Sequence, residues 1–437
     1  MKRILEESVV EFLGFSLTGR CPTPELAGFS ADEWEHCLTW MDYSGLALYF
    51  LRAIQRHTDW IPGFVLERLL NRHGANLERT AYMERQFVFV NRAFEDAGVR
   101  YAAVKGLTLV PEFCPEASLR HQSDLDYLVN GPSLHLACQV LEDIGYVLHK
   151  EAQHEVILIL PFNGGLGRID EQYNAKTPHS VELHLTIGEL RHLAWEEPQF
   201  LENAVKRVFQ GSAFCGLRDD DTFVLQSIHA FYHILDGWIK LSWLYEIGYF
   251  LEKRATDSDL WQRISGRLSG EPLLREAVAV VVSLASQFFR ARIPVTVNRW
   301  VEEIRPTVRM WIENYSRPWV LGHNLVDDYA WFPTSKLVLF LYQQYVPDRG
   351  TWRSVLSRRL LALKGIDQAM RRITRHSSAQ QWQTSRVSAR EFWKIPYHLG
   401  ANLRYLWELP RWCLLARNST RTSRNSIPPG SPHFEQK

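Results

Sequence analysis

Asp124 and Asp126 stand one residue apart in SDLDYLV (123 to 129), a run whose other members are mostly apolar. Alternate residues of a strand project to one face. A strand here would aim both carboxylates one way and send Leu125, Tyr127 and Val129 into a core. Two carboxylates held this close repel unless a proton or a cation lies between them. A divalent metal is the economical solution, since hard cations take carboxylate oxygens and a pair of them can clamp the attacking and leaving oxygens of a phosphoryl transfer. Glu182, in VELHL (181 to 185), offers a third carboxylate between inward-facing Val181 and Leu183. An isolated D-x-D also occurs at exposed strand ends, so its neighbours decide the reading.

About twenty residues earlier, VRYAAVKG runs into Lys105-Gly106 and then a segment predicted to be helical, Leu107 to Phe113. Backbone N–H groups and the positive end of such a helix could receive a triphosphate. Arg120, four residues before Asp124, could steady a carboxylate or phosphate as a bidentate donor, or simply end a surface loop. His184 shares the Glu182 face and could orient an acceptor or a ligand, although a core histidine bonded to backbone reads the same way. His229 and His233 stand at i and i+4 in LQSIHAFYHILDGWIKLSWLYEIG (225 to 248), without the carboxylate pattern of a metalloprotease. Leu225, Ile228, Tyr232, Leu235, Leu241, Leu244 and Ile247 suit a helical hairpin turning near Asp236-Gly237. Gly164-Gly165-Leu166-Gly167-Arg168 lacks the Lys-Ser/Thr of a P-loop and reads as a connection.

The elements that must hold these groups follow from periodicity. Met83, Phe87, Val90, Phe94 and Ala97 recur at helical spacing and Gly98 closes the pattern. Beyond it, short strand-like runs at 99–106, 123–129, 145–149, 155–162 and 181–185 enclose a helical SLHLACQVLEDIG. Helical patterns return from about 190 to 415. The expected organisation is a helical region over 1–97, a mixed α/β core over 98–190, a helical domain over 191–415 that is basic from about 351, and a disordered polar tail over 416–437. The fold class is therefore α+β, a mixed-sheet core flanked by helical regions.

A chain of 437 residues with 46% hydrophobic content can bury a large core. A net charge of +1 argues against a protein that coats nucleic acid throughout or lacks structure throughout. Charge is uneven, with fifteen Lys+Arg against three Asp+Glu between Arg353 and Arg424. Residues 351 to 376 carry Val355, Leu356, Leu360, Leu363, Ile366, Met370 and Ile373 on one face with arginines beside it, as in an amphipathic helix that caps a domain or meets RNA, an acidic partner or anionic lipid. Six cysteines show no zinc spacing or disulfide framework, Glu6 and Glu7 interrupt any signal-peptide core, and the apolar run Ala277 to Phe289 is too short to span a bilayer. A cytoplasmic protein without a transmembrane segment is expected.

The order strand, Gly turn, helix, strand with D-x-D, then a third acid on a separate strand is similar to the DNA polymerase β-type nucleotidyltransferase superfamily. More closely, AVKGLTL, LRHQSDLDYLV, VELHL and IHAFYHILDGWIKLSWLYEIG resemble a bacterial family of uncharacterised nucleotidyltransferases, over roughly 35 to 345. The resemblance implies a nucleotidyltransferase fold in which Asp124 and Asp126 ligate two Mg²⁺ ions (Mn²⁺ as the alternative) and Glu182 ligates the catalytic ion and helps deprotonate the acceptor hydroxyl. It implies that Gly106 cradles the NTP's β- and γ-phosphates, and that His229, His233 and Lys240 reach phosphates or base across the cleft. The turn reads Lys105-Gly106-Leu107-Thr108 where the superfamily has Gly-Ser, leaving Lys105 or the Thr108 hydroxyl to replace the serine contact. Glu182 stands where Asp is commoner.

The expected activity is Mg²⁺-dependent transfer of an NMP from an NTP to an acceptor, with release of pyrophosphate. Acceptor choice in this fold has no readable code, so small molecule, peptide, protein and RNA all stay open. A non-catalytic nucleotide-binding adaptor and an RNA-modifying enzyme using the basic C-terminal stretch are the alternatives.

Overall fold

The structure, a computed structural model, describes residues 4–20, 26–161, 169–186, 193, 199–321, 324–327, 330–332, 336–361 and 398–417. The Gly164–Arg168 loop, most of the basic stretch beyond 361 and the tail from 418 lie outside them.

The N-terminal helical pattern forms α1 (Ile4–Leu17), α2 (Ala31–Ser44), α3 (Ala47–Ile54) and α4 (Gly63–Asp96). Met83, Phe87, Val90 and Phe94 are buried on one face of α4, whereas Ala97 lies exposed at its cap. Gly98, at φ 70°, ends the helix as the periodicity requires, and the Val99 N–H returns to the Phe94 carbonyl. Then come β1 (Tyr101–Val104), β2 (Asp124–Val129), α5 (Gly131–Asp143), β3 (Val147–Ala152), β4 (Glu155–Ile159) and β5 (Ser180–His184). Asn130 caps α5 by accepting from the Ser133 N–H at 2.9 Å.

Two expectations fail locally. Leu107 to Phe113 is no helix: a 3₁₀ turn over Gly106–Leu109 ends at Val110, because Pro111 forces the preceding residue into extended backbone and cannot donate. The region after 190 is not helical throughout, since Val205–Phe209 (β6) and Ser212–Gly216 (β7) form a hairpin. Its Gln210-Gly211 turn has both residues at positive φ, the geometry a two-residue hairpin turn needs. Helices then resume as expected: α6 (Asp219–Asp236), α7 (Leu241–Lys253), α8 (Ser258–Arg267), α9 (Pro272–Phe289) and shorter helices beyond. By length and composition α9 could cross a membrane, but 67% of it is buried inside the molecule, so its apolar character is that of a core helix.

The seven strands form one mixed sheet in the order β3-β4-β5-β2-β1-β7-β6. β2 runs antiparallel to β1 and parallel to β5. One sheet face carries Tyr101, Ala103, Leu125, Tyr127, Val181 and Leu183 against α4 and α5. The opposite face gives Ala102, Val104 and Leu128 to the larger helical core, which includes α6, α7 and α9. Strand alternation therefore leaves Asp124, Asp126, Glu182 and His184 on the side that meets α6. The architecture is the α+β mixed sheet flanked by helices read from the sequence.

Candidate active site

β2 and β5 pair in parallel with Asp126 opposite Glu182 and Leu128 opposite His184. Asp126 is only 6% exposed. Its Oδ1 accepts from Lys105 Nζ at 2.8 Å and lies 2.8 Å from His184 Nε2. That same imidazole nitrogen is 3.7 Å from Glu182 Oε2, while Nδ1 is 3.8 Å from Glu155 Oε1. Asp126, Glu182 and His184 thus present three donor atoms within 4.8 Å of one another, a spacing and donor set that fit a divalent cation. Asp124, two residues back on the same face, lines the same cavity of about 540 Å³.

These charges divide the carboxylates. Burial would raise the Asp126 carboxyl, but the Lys105 ammonium and the His184 hydrogen bond outweigh it and hold the group well below the usual range. Glu182 goes the other way, pushed up to about 8 by burial and by the negative charges of Asp126 and Asp124. Asp124 is raised too, by burial and then by Asp126, with Lys105, Arg120 and Lys240 opposing.

Lys105 owes its position to an unusual backbone, φ 55° and ψ −162°, and Gly106 follows at φ 48°. A methyl on Gly106 would overlap the Gln122 amide, which donates to the Asp124 carbonyl at 3.0 Å. Gly106 therefore lets the turn close against the root of β2. Thr108 Oγ1 donates to the Lys105 carbonyl at 2.6 Å, locking the turn. Neither Gly106 nor Thr108 lines the cavity, whereas Lys105 does.

Arg120 is not a loop-end surface residue. Its Nε donates to Glu246 Oε1 at 3.1 Å, and the same oxygen accepts from Tyr49 at 2.9 Å. Across the cavity from the sheet, His229 and His233 lie on one face of α6, 3.1 Å apart between Nε2 atoms. Trp243 packs against both rings at 4.8 and 4.7 Å between ring centres, inclined by 63° and 45°, and Trp238 approaches His233 at 4.1 Å. Burial and then Lys105 push His229 well below its ordinary value and His233 down to about 3, so both are neutral. Lys240 lies in the turn between α6 and α7 and also lines the cavity; burial lowers it while Asp124 opposes. Gly237, at φ 105°, is the left-handed cap that lets the chain reverse there.

Several lining residues carry no signature in the sequence. His121, His154, Glu155 and Gln226 all face the cavity, and the last shares the α6 stripe with His229 and His233 at i, i+3 and i+7. That spacing is the one signal that could have found it. Behind the cavity, buried Arg79 of α4 donates to the carbonyls of Gln122, Asn174 and Thr177 at 2.6, 3.0 and 2.9 Å. One guanidinium thereby ties together the chain entering β2 and the chain entering β5.

No curated protein matches this sequence significantly. Among solved structures, the crystal structure of an antigenic nucleotidyltransferase-like protein from Paracoccidioides brasiliensis is similar at 12% identity and a TM-score of 0.26, over 49% of this chain and 95% of that one. The model of the family described as uncharacterised nucleotidyltransferase matches residues 30–290, which take in β1, β2, β5 and the α6–α7 pair, and the chain belongs to that family.

Proposed function

We propose that the chain is a metal-dependent nucleotidyltransferase that moves an NMP from an NTP to an acceptor hydroxyl or phosphate and releases pyrophosphate. What carries this reading is the cluster of Asp126, Glu182 and His184, with Asp124 on the same sheet face and Lys105 beside it, inside the family-matched region. Mg²⁺ or Mn²⁺, held by the three carboxylates with His184 beside them, would supply charge neutralisation for the NTP's phosphates.

The chain's own groups divide the remaining work. Lys105, Arg120 and Lys240 bring positive charge to the cavity wall and favour a polyphosphate there. Glu182, whose carboxylate is made more basic than usual by burial and its acidic neighbours, suits proton removal from an acceptor hydroxyl when ionised. The acceptor oxygen then bonds to the α-phosphorus, the bond from that phosphorus to the bridging oxygen breaks, and pyrophosphate leaves with the electron pair. The neutral His229–His233–Trp243 cluster offers uncharged aromatic ring surface fit for a base rather than a phosphate. Positioning and electrostatics carry this chemistry without a covalent intermediate.

The test is to incubate the purified chain with each α-labelled NTP, Mg²⁺ or Mn²⁺, and an extract of small molecules, proteins or RNA. Labelled product and pyrophosphate that depend on Asp124 and Asp126 are expected. No product from any NTP, with Asp124→Ala indistinguishable from the parent, would remove the proposal.

A further inference from the structure

Lys105 is held where a cation belongs. Its Nζ sits 2.8 Å from Asp126 Oδ1, its side chain is 13% exposed, and Asp124 and Glu182 act on the same ammonium. The backbone beneath it, at φ 55° and ψ −162°, is a conformation that essentially only glycine occupies without strain. A lysine persists there because its surroundings hold it: the Thr108 N–H and hydroxyl both bond its carbonyl, at 3.0 and 2.6 Å, and the ion pair fixes its far end. A glycine would make the turn more easily but would leave the carboxylates without this charge.

When all three carboxylates are ionised, as they must be to ligate a cation, the Lys105 ammonium offsets one of their charges and leaves two for a divalent ion to balance. The surrounding charges do not change that count toward a second ion. Glu155 is matched by Lys150 at 2.8 Å, Arg120 by Glu246, and Lys240 adds positive charge facing Asp124. A second dication beside a retained Lys105 would put like charges within a few ångströms in a buried site, a steep cost at low effective dielectric.

We propose that the Lys105 ammonium takes the place of a second divalent cation, so that the nucleotide-free site binds one such ion and admits another only when Lys105 leaves Asp126. This rests on the metal-binding part of the function proposed above. It makes Lys105 a positioning residue: it keeps the acidic cluster assembled before nucleotide arrives, and it becomes free to meet phosphate when a second ion enters with the nucleotide.

The experiment is titration of the metal-stripped full chain with Mn²⁺, without nucleotide, following free Mn²⁺ by electron paramagnetic resonance. The parent and Lys105→Arg should bind one ion per chain. Lys105→Met, which keeps length without charge, should bind its first ion on the order of tenfold more tightly and take up a second, weaker one that the parent refuses. Lys105→Gly, which relaxes the backbone, serves if the methionine variant does not fold, with folding read by circular dichroism. Two ions in the parent, the same number and affinity in parent and charge-removed variants, or no binding in any of them overturns the proposal. The outcomes separate from the reaction itself: NTP turnover with unchanged ion number sinks the Lys105 role alone, and the one-to-two pattern without turnover sinks the transfer reaction alone.

Discussion

Asp126 and Glu182 are register partners across the parallel β2–β5 pair, and their carboxyls have been driven apart in acidity although they share one cluster. The difference comes from Lys105 and His184, both of which direct a nitrogen at Asp126 Oδ1. One carboxyl is biased toward its charged form and the other toward holding a proton, the separation that acid–base chemistry needs.

Asp126→Asn should therefore be far more damaging to turnover than to folding. The amide keeps the shape but loses the charge that holds Lys105 and a cation firmly, so pyrophosphate release should fall by about a thousandfold. Melting should show a folded protein of lower stability, because the buried Lys105 ammonium loses its charged partner while a repulsion with Glu182 is also removed. A variant with near-parental turnover would show that Asp126 is not at the reacting centre.

Arg120 and Glu246 join the loop before β2 to α7, and Glu246 is 2% exposed. Glu246→Ala should cost about 3–5 kcal/mol, since it strands a buried guanidinium and takes the acceptor from Tyr49. Denaturant titration measures this, and the double variant Arg120→Met/Glu246→Met should regain most of the loss. No recovery in the double variant would mean that the pair's charge is not what the fold depends on.

Arg79 serves three carbonyls from a buried position. Arg79→Met should destabilise by about 3 kcal/mol or more through unpaired carbonyls, and it should weaken Mn²⁺ binding because the entries to β2 and β5 lose their common tie. Unchanged metal affinity in a destabilised but folded variant would confine Arg79 to stability.

Much of this arrangement was legible from local pattern. Strand alternation alone placed Asp124 and Asp126 on one face, and the neighbours of Glu182 fixed its side, because period-2 geometry is rigid. The α6–α7 hairpin followed from helical spacing and Gly237. What stayed hidden depends on chain reversal and long-range pairing. The Leu107 helix yielded to Pro111, whose local veto outweighs an apolar run. The β6–β7 hairpin did have a local signal, since VKRVFQGSAFCG alternates about a Gln-Gly turn, but its parallel addition beside β1 leaves no trace in the chain. Arg79 and Glu246 acquire their roles only through tertiary contacts, and neither has a spacing that announces a partner more than 40 residues away.

His179 supplies a pH dependence whose sign can be worked out. Its ring lies between Tyr146, 2.8 Å from Nε2, and Tyr82, 3.3 Å from Nδ1; burial, and then Arg79, lower it from 6.5 to about 4. As pH falls below 6.5 the unfolded chain takes a proton that the folded chain refuses until about 4. The contribution is thus fully present above 6.5 and is lost between 6.5 and 4, up to about 3 kcal/mol. His233, also pushed down by burial, acts in the same direction, so the informative quantity is the difference between parent and His179→Gln. Denaturant titrations at pH 7, 5.5 and 4.5 should show the parent losing more stability than the glutamine variant as pH drops. Parallel losses in the two proteins would place the His179 titration outside the folding equilibrium.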